Sequence, residues 1–367
     1  MRGNAPNRCY RFPALINPVV TPSGDLAFLR HGVLMEPRAP LVLAVRSEHW
    51  PIAGTFVISR GAKTQAAVVV AELSDGRHVG RGECVPYARY GETVDGVVEA
   101  ISALKDKITC GLDRGGLQEA MRPGAARNAL DCAFWDLAAK RSGKRVHELA
   151  GLPPPKPLVT AYTISLAAPK VMAEQAGKAA GRALLKVKLG GAGNGDEERI
   201  MAVRRAAPKA QLIVDANEGW TADNLSDNLA ACALAGVRLV EQPLPADADG
   251  LLTKVARPLP VCADESVHAR ASLPALVGKY DAVNIKLDKA GGLTEALAMV
   301  KDAERLGFSL VAGCMVATSL AIAPAILVGQ RARVVDLDGA LLLARDRPDG
   351  LRYEASLVHP ATPALWG

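Results

Sequence analysis

The chain has 367 residues, 49% of them hydrophobic, 22% charged and 4% aromatic, which is enough apolar content to bury a large core in one or two domains. Its net charge of +6 is spread without a block of like sign, so no nucleic-acid footprint is expected. The seven cysteines, Cys9, Cys84, Cys110, Cys132, Cys232, Cys262 and Cys314, form no C-x-x-C pair, and runs such as Ser319 to Gly329 fall far short of the roughly 20 apolar residues of a membrane span, so a cytoplasmic protein without zinc or membrane partners is expected.

Residues 1–40 are rich in Pro, Arg, Gly and Asn and lack the apolar core and cleavage site of a secretory signal. They read as an irregular N-terminal extension. From Leu41, LVLAVRSEHWPI and QAAVVVAELSDGRHVGRGECV predict antiparallel strands with SDGR as a turn, and helical patterns follow from Val94 to Ser142. This is an α+β unit over 41–155. Pro153, Pro154, Pro155 and Pro157 close it, because a proline run continues neither a helix nor a central strand. Over 156–340, the short apolar strands ALLKVKL, QLIVDAN, RLVEQPL, PVCADES, AVNIKLD and SLVAGCM alternate with Ala-rich helical patterns, which predicts a parallel sheet covered on both faces. A C-terminal segment, 341–367, is expected to pack back on the first unit.

A polar residue recurs at each strand end: Lys188, Asp215, Glu241, Asp264, Lys286, then Cys314, at intervals of 27, 26, 23, 22 and 28 residues. Each interval is the length of one βα unit. The regularity suggests a closed (β/α) barrel, whose site is assembled at the C-terminal ends of its strands. An open doubly wound sheet is the rival, but it would place a ligand at one switch point.

Three carboxylates converging from neighbouring strands would raise one another's pKa unless a positive charge sat between them. Asp215, Glu241 and Asp264 therefore read as ligands of a hard divalent cation, and Mg²⁺ suits an all-carboxylate set that leaves positions for water and substrate oxygens. Helix capping explains any one of them, yet capping demands no such spacing. Lys188 and Lys286 fall on either side of this set and read as general bases whose pKa is lowered toward neutrality. The chemistry this suggests is removal of the α-proton of a carboxylate substrate to give an enediolate, with return of a proton from the far face and inversion at carbon. Lys186 shares the side-chain direction of Lys188. It is expected one layer lower, facing the metal-bound carboxylate and depressing the pKa of Lys188; the alternative is a strand whose lysines reach for the surface.

KVK, VDANEGW, VEQPL, ADES and NIKLDKAGG, in this order and spacing, resemble the enolase superfamily, in particular its muconate-lactonising subgroup, from about Leu41 to Val358. The resemblance implies a modified (β/α)7β TIM-type barrel under an α+β capping domain, Mg²⁺ on Asp215, Glu241 and Asp264, Lys188 and Lys286 as the acid/base pair, and a homo-oligomer. The subgroup contains dipeptide epimerases, cycloisomerases, o-succinylbenzoate synthases and N-acylamino acid racemases. RVVDLDGALLL carries Asp336 and Asp338, which looks like the epimerase motif that holds a dipeptide's α-ammonium. Two carboxylates at i and i+2 share a face and attract a cation that an acyl amino acid or a muconate lacks; a plain turn at Asp338-Gly339 is the alternative. GCMVATSL, with Cys314 and Met315, and PYARYGET also resemble epimerase segments. FVISRGAKT takes the place of the family's first specificity loop, so Arg60 is expected to pair with an acidic side chain on the C-terminal residue, with Arg89 and Tyr90 enclosing it; each of these could equally be a solvated loop residue.

The expectation is thus a Mg-dependent isomerase, a dipeptide epimerase acting on L-Ala-D/L-Glu or a similar small-molecule dipeptide. The alternatives are an N-acylamino acid racemase, o-succinylbenzoate synthase or cycloisomerase of the same subgroup, and a metal-dependent binding or scaffold protein. The last predicts loss of at least one acid or base, yet all five are present. Sugar-acid dehydratases of the superfamily use a histidine base, and none of the six histidines falls at the Lys286 or Cys314 strand ends.

Overall fold

Valine-rich alternation builds the first sheet. β1 (Val42–Ile58) and β2 (Gly61–Ser74) form one long antiparallel hairpin turning at Ser59 and Arg60, and β3 (Val79–Cys84) pairs with β2. The root of β2 is buried through Val68, Val69, Val70, Ala71 and Leu73, whereas Gly61 to Gln65 at the tip is exposed. The ladder runs from Val42 opposite Ser74 to Pro51 opposite Gln65, then breaks until Phe56 opposite Lys63. Pro51 has no N–H to donate, so the break falls where the ladder is weakest. The turn expected at SDGR joins β2 to β3, with Gly76 at φ 87°.

The computed structural model describes residues 40–191 and 195–367, together with the backbone of three short antiparallel strands, Asn17–Val20, Leu26–Arg30 and Val33–Met35. The rest of the extension expected over 1–40 lies outside the described residues. The helical patterns expected from Val94 to Ser142 form α1 (Val94–Ser102), α2 (Lys105–Thr109), α3 (Arg114–Ala120) and α4 (Ala125–Ser142). Gly111 at φ 101° and Gly124 at φ 143° make two of the breaks, since only glycine enters these conformations without strain. α4 lies against β3 at a separation that excludes side chains: a Cβ at Gly82 would stand 2.1 Å from Ala129 O, and one at Gly80 2.3 Å from Ala133 O.

Beyond the prolines, eight parallel strands pair in chain order: β4 (Tyr162–Ile164), β5 (Leu184–Lys188), β6 (Gln211–Asp215), β7 (Val237–Glu241), β8 (Val261–Ala263), β9 (Ala282–Ile285), β10 (Ser309–Gly313) and β11 (Val334–Asp336). Ala161 N–H donates to Val335 O at 2.8 Å, which brings the last strand against the first. The sheet is a barrel with helical crossovers, as the regular spacing predicts. The C-terminal residues return to the first unit, where Trp366 Nε1 donates to Cys132 O at 3.1 Å and Gly367 N to Asp136 Oδ1 at 2.8 Å on α4. Among the described residues no helix is long and apolar enough to cross a membrane.

Candidate active site

Period-two alternation explains why the charges converge. Leu184, Ile213, Leu239, Cys262, Ala282 and Val311 form an apolar layer inside the barrel. Two residues further along each strand the same face presents Lys186, Asp215, Glu241, Asp264, Asn284 and Gly313. Gly313 is small for a reason: a Cβ there would meet Asn284 Oδ1 at 2.5 Å. Lys188 and Lys286 come one step higher on their strands.

Asp215, Glu241 and Asp264 each offer an oxygen within 4.8 Å of the others, and their exposures are 0%, 0% and 1%. One oxygen of each is pinned from outside the cluster. Asn217 N–H donates to Asp215 Oδ1 (2.9 Å), Asn284 Nδ2 to Glu241 Oε1 (2.9 Å) and Lys289 Nζ to Asp264 Oδ1 (2.5 Å). The remaining oxygens face ammonium groups: Lys188 on Asp215 Oδ2 at 2.6 Å, Lys186 on Glu241 Oε2 at 2.8 Å, and Lys286 on Asp264 Oδ2 at 2.6 Å. Burial and then Asp215 push Glu241 up to about 8, so this acid ionises fully at neutral pH only beside added positive charge. For Asp215 and Asp264 burial also opposes ionisation, but the lysines outweigh it and hold both below the usual carboxylate range. Three hard oxygen donors, each with a single inward atom, fit Mg²⁺ and leave room for other oxygen ligands.

Burial pushes Lys286 and Lys186 down, but Asp264 and Glu241 around the first, and Asp215, Asp336 and Glu241 around the second, hold both well above the ordinary lysine value. Lys186 also sits deeper than a residue that faces only substrate. It is 1% exposed and reaches Asp215, Glu241 and Asp336 at 3.0, 2.8 and 2.7 Å, tying the carboxylate set to the last strand.

Above this floor lies a cavity of about 480 Å³ whose lining includes Arg60, Arg89, Tyr90, Lys188, Lys286, Cys314, Met315, Asp336 and Asp338. Asp336 Oδ1 is buried without a hydrogen-bond partner, and Asp338 Oδ2 accepts from Thr163 N–H at 2.7 Å. Burial and Asp336 push Asp338 up to about 7. Arg60 and Arg89 line the cavity but are paired: Arg60 with Glu265 at 2.6 Å and Glu218 at 3.1 Å, Arg89 with both oxygens of Glu218 at 2.7 Å. Tyr90 packs edge-on against His268, ring centroids 4.7 Å apart. Lys289, Asn284, Glu218 and Glu265 were not singled out from sequence, although all four lie inside the quoted motifs NIKLDKAGG, VDANEGW and ADES.

Residues 41–151 match the mandelate racemase/muconate lactonizing enzyme N-terminal domain, and residues 171–360 the enolase C-terminal domain-like family. The chain belongs to this family. An L-Ala-D/L-Glu epimerase of Escherichia coli (strain K12) is 46% identical, over 86% of this chain and 98% of the relative. An N-acetyl-D-glutamate racemase of a Pseudoalteromonas species is 42% identical, over 82% of this chain and 95% of the relative. A crystal structure of an enolase family member from Agrobacterium tumefaciens with homology to dipeptide epimerases, with bound sodium and L-Ala-L-Glu, is 55% identical, with a TM-score of 0.87 over 89% of this chain and 100% of that one.

Proposed function

We propose that the protein is a Mg-dependent dipeptide epimerase that inverts the α-carbon of the C-terminal residue of L-Ala-D/L-Glu or a similar dipeptide. The observation that carries this reading is the Asp336–Asp338 pair. Asp336 Oδ1 is a buried acceptor without a donor, in the cavity that Lys188 and Lys286 also line. A free α-ammonium supplies the missing donor and a charge that suits both carboxyls. Asp215, Glu241 and Asp264 would hold Mg²⁺, which when bound supplies positive charge for a substrate carboxylate that gains negative charge as its α-proton leaves.

Lys188 and Lys286 are the groups placed to move that proton. They extend from β5 and from the end of β9, with the three carboxylate-bearing strands between. A substrate seated over those carboxylates therefore meets one lysine on each face. One lysine removes the α-proton, the other delivers a proton to the opposite face, and the configuration inverts. Lys186 stays charged between Asp215, Glu241 and Asp336 and holds these acids in register. Phe56 on the hairpin, with its ring centroid 5.8 Å from Lys188 Nζ, helps close the site to water.

The reading includes an α+β capping domain over 41–155, a barrel over 156–340, a homo-oligomer and a cytoplasmic location. A second reading, racemisation of an N-acylated amino acid, is favoured by one observation: Asp338, pushed up to about 7, can carry a proton and donate it to an acyl oxygen. Incubation with Mg²⁺ in D₂O separates the two. Epimerisation with deuterium incorporation at the C-terminal α-carbon of L-Ala-L-Glu, much faster than exchange of N-acetyl-L-glutamate, is the expected outcome. The reverse order would replace the first reading with the second.

A further inference from the structure

We propose that Thr160 and Tyr353 are positioning residues that clamp the Leu337 peptide and thereby set the Asp336–Asp338 pair at the spacing that receives the substrate's α-ammonium. The inference rests on the epimerase reading and names the groups that fix its selectivity for a free amine. Where β4 meets β11, Ala161 N–H donates to Val335 O at 2.8 Å. A regular parallel ladder would go on from Leu337 N–H to Ala161 O and from Thr163 N–H to Leu337 O. Instead, Leu337 N–H donates to Thr160 Oγ1 at 2.8 Å, Tyr353 Oη donates to Leu337 O at 2.8 Å, and Thr163 N–H donates to Asp338 Oδ2 at 2.7 Å.

These departures aim the two carboxyls. Leu337 is fully buried and both its N–H and its carbonyl are fixed by side chains, so the peptide planes on either side of it are held, and Asp336 and Asp338 stay on the cavity wall. Lys186 takes Asp336 Oδ2 and Thr163 takes Asp338 Oδ2, while Asp336 Oδ1 is left without a donor. The clamp comes from the C-terminal segment. Tyr353–Glu354 and Leu357–Val358 form a hairpin that pairs with Leu158–Val159, and Ser356 O at its turn accepts from Thr160 N–H at 2.9 Å. One short hairpin therefore carries the Tyr353 hydroxyl and holds Thr160, the two groups on Leu337. Burial, with Cys314 and Asp338 nearby, pushes the Tyr353 phenol up, so its hydroxyl keeps the proton it donates. Carboxylates turned away from an ammonium lose charge-assisted bonds that a neutral acyl group never makes, so the clamp acts on free-amino ligands alone.

The test measures kcat and KM for L-Ala-L-Glu in wild type, Y353F, T160V and T160S, with the inhibition constant of N-propionyl-L-glutamate, which differs from that dipeptide only in lacking the ammonium. Y353F and T160V should each raise KM for the dipeptide about threefold to tenfold, the scale of one buried hydrogen bond, with kcat and the inhibition constant unchanged. T160S, which keeps the hydroxyl, should restore the wild-type KM. An unchanged KM in either variant, a fall in kcat alone, or an equal rise in KM and in the inhibition constant overturns the clamp while the epimerase reading stands; T160V against T160S decides should Y353F not fold. A wild type that racemises N-propionyl-L-glutamate faster than it epimerises the dipeptide overturns both.

Discussion

Lys289 shows how much one residue decides in this site. Its ammonium, 3% exposed, holds Asp264 through Oδ1 and the backbone carbonyl, and also reaches Asn284 O at 3.1 Å. Replacing it with Gln should weaken Mg²⁺ binding about 10-fold to 100-fold, the usual scale for groups that orient a metal ligand, and calorimetric titration of the folded variant with Mg²⁺ measures this directly. Unchanged affinity would show that Asp264 is held in place by β8 alone. The two proton-transferring lysines predict a different pattern. Lys188→Ala and Lys286→Ala should each lower the epimerisation rate by about 10² to 10⁴, and one variant should still exchange the α-proton of one epimer in D₂O. Asp336→Asn should raise KM far more for a free-amino dipeptide than for its N-acetyl analogue, because only the former brings the ammonium. The acids and bases at the strand ends were legible in the sequence because they recur at the βα interval. Lys289 was not, since a lysine in the turn after a strand looks like solvated surface until Asp264 is found beside it.

At the scale of elements, β3 and α4 are matched by what they lack. Gly82→Ala would place a methyl group 2.1 Å from Ala129 O, and neither partner is a flexible side-chain end that could move aside. The expected cost is about 2 kcal/mol, read as a lowered Tm, with no direct effect on the barrel site. An unchanged Tm would mean that α4 shifts freely over the sheet. Most strands were legible from their β-branched runs. The bounds of the helices between Val94 and Ser142 were not, because Gly111 and Gly124 separate them through positive φ values that only the packed chain requires. β4 was also not foreseen, since three residues, Tyr162 to Ile164, carry too short a pattern. Its place is decided by pairing with β5 and by the Ala161 hydrogen bond to Val335.

For the whole molecule, the junction between the two units is a buried polar seam. Asp288, in the turn after β9, accepts from Val85 N–H at 3.0 Å and Asn128 Nδ2 at 2.9 Å, and burial pushes it up to about 7. A carboxyl whose folded pKa lies above its unfolded value near 3.9 binds more protons in the folded state through the interval between them. Its contribution to stability is therefore full below about pH 4 and is lost as pH rises toward 7. Asp288→Asn keeps both accepted hydrogen bonds and should remove this slope, so its Tm should gain on the wild type from pH 4 to 7; parallel Tm profiles would sink the assignment. Arg347, which reaches Glu48 at 2.7 Å and Glu83 at 2.6 Å, fastens the C-terminal segment to the same seam.

The sequence by itself determined the barrel, the order of its charged strand ends and the family, because strand period and βα length are local properties that chemistry-bearing residues repeat. Only the tertiary structure decided which charges neutralise which. Arg60, Arg89 and Lys289 are alike in sequence as solvated cations, and their roles follow from acids that lie 129 to 205 residues away for the arginines and 25 for the lysine, brought within 3 Å by closure of the barrel under its cap.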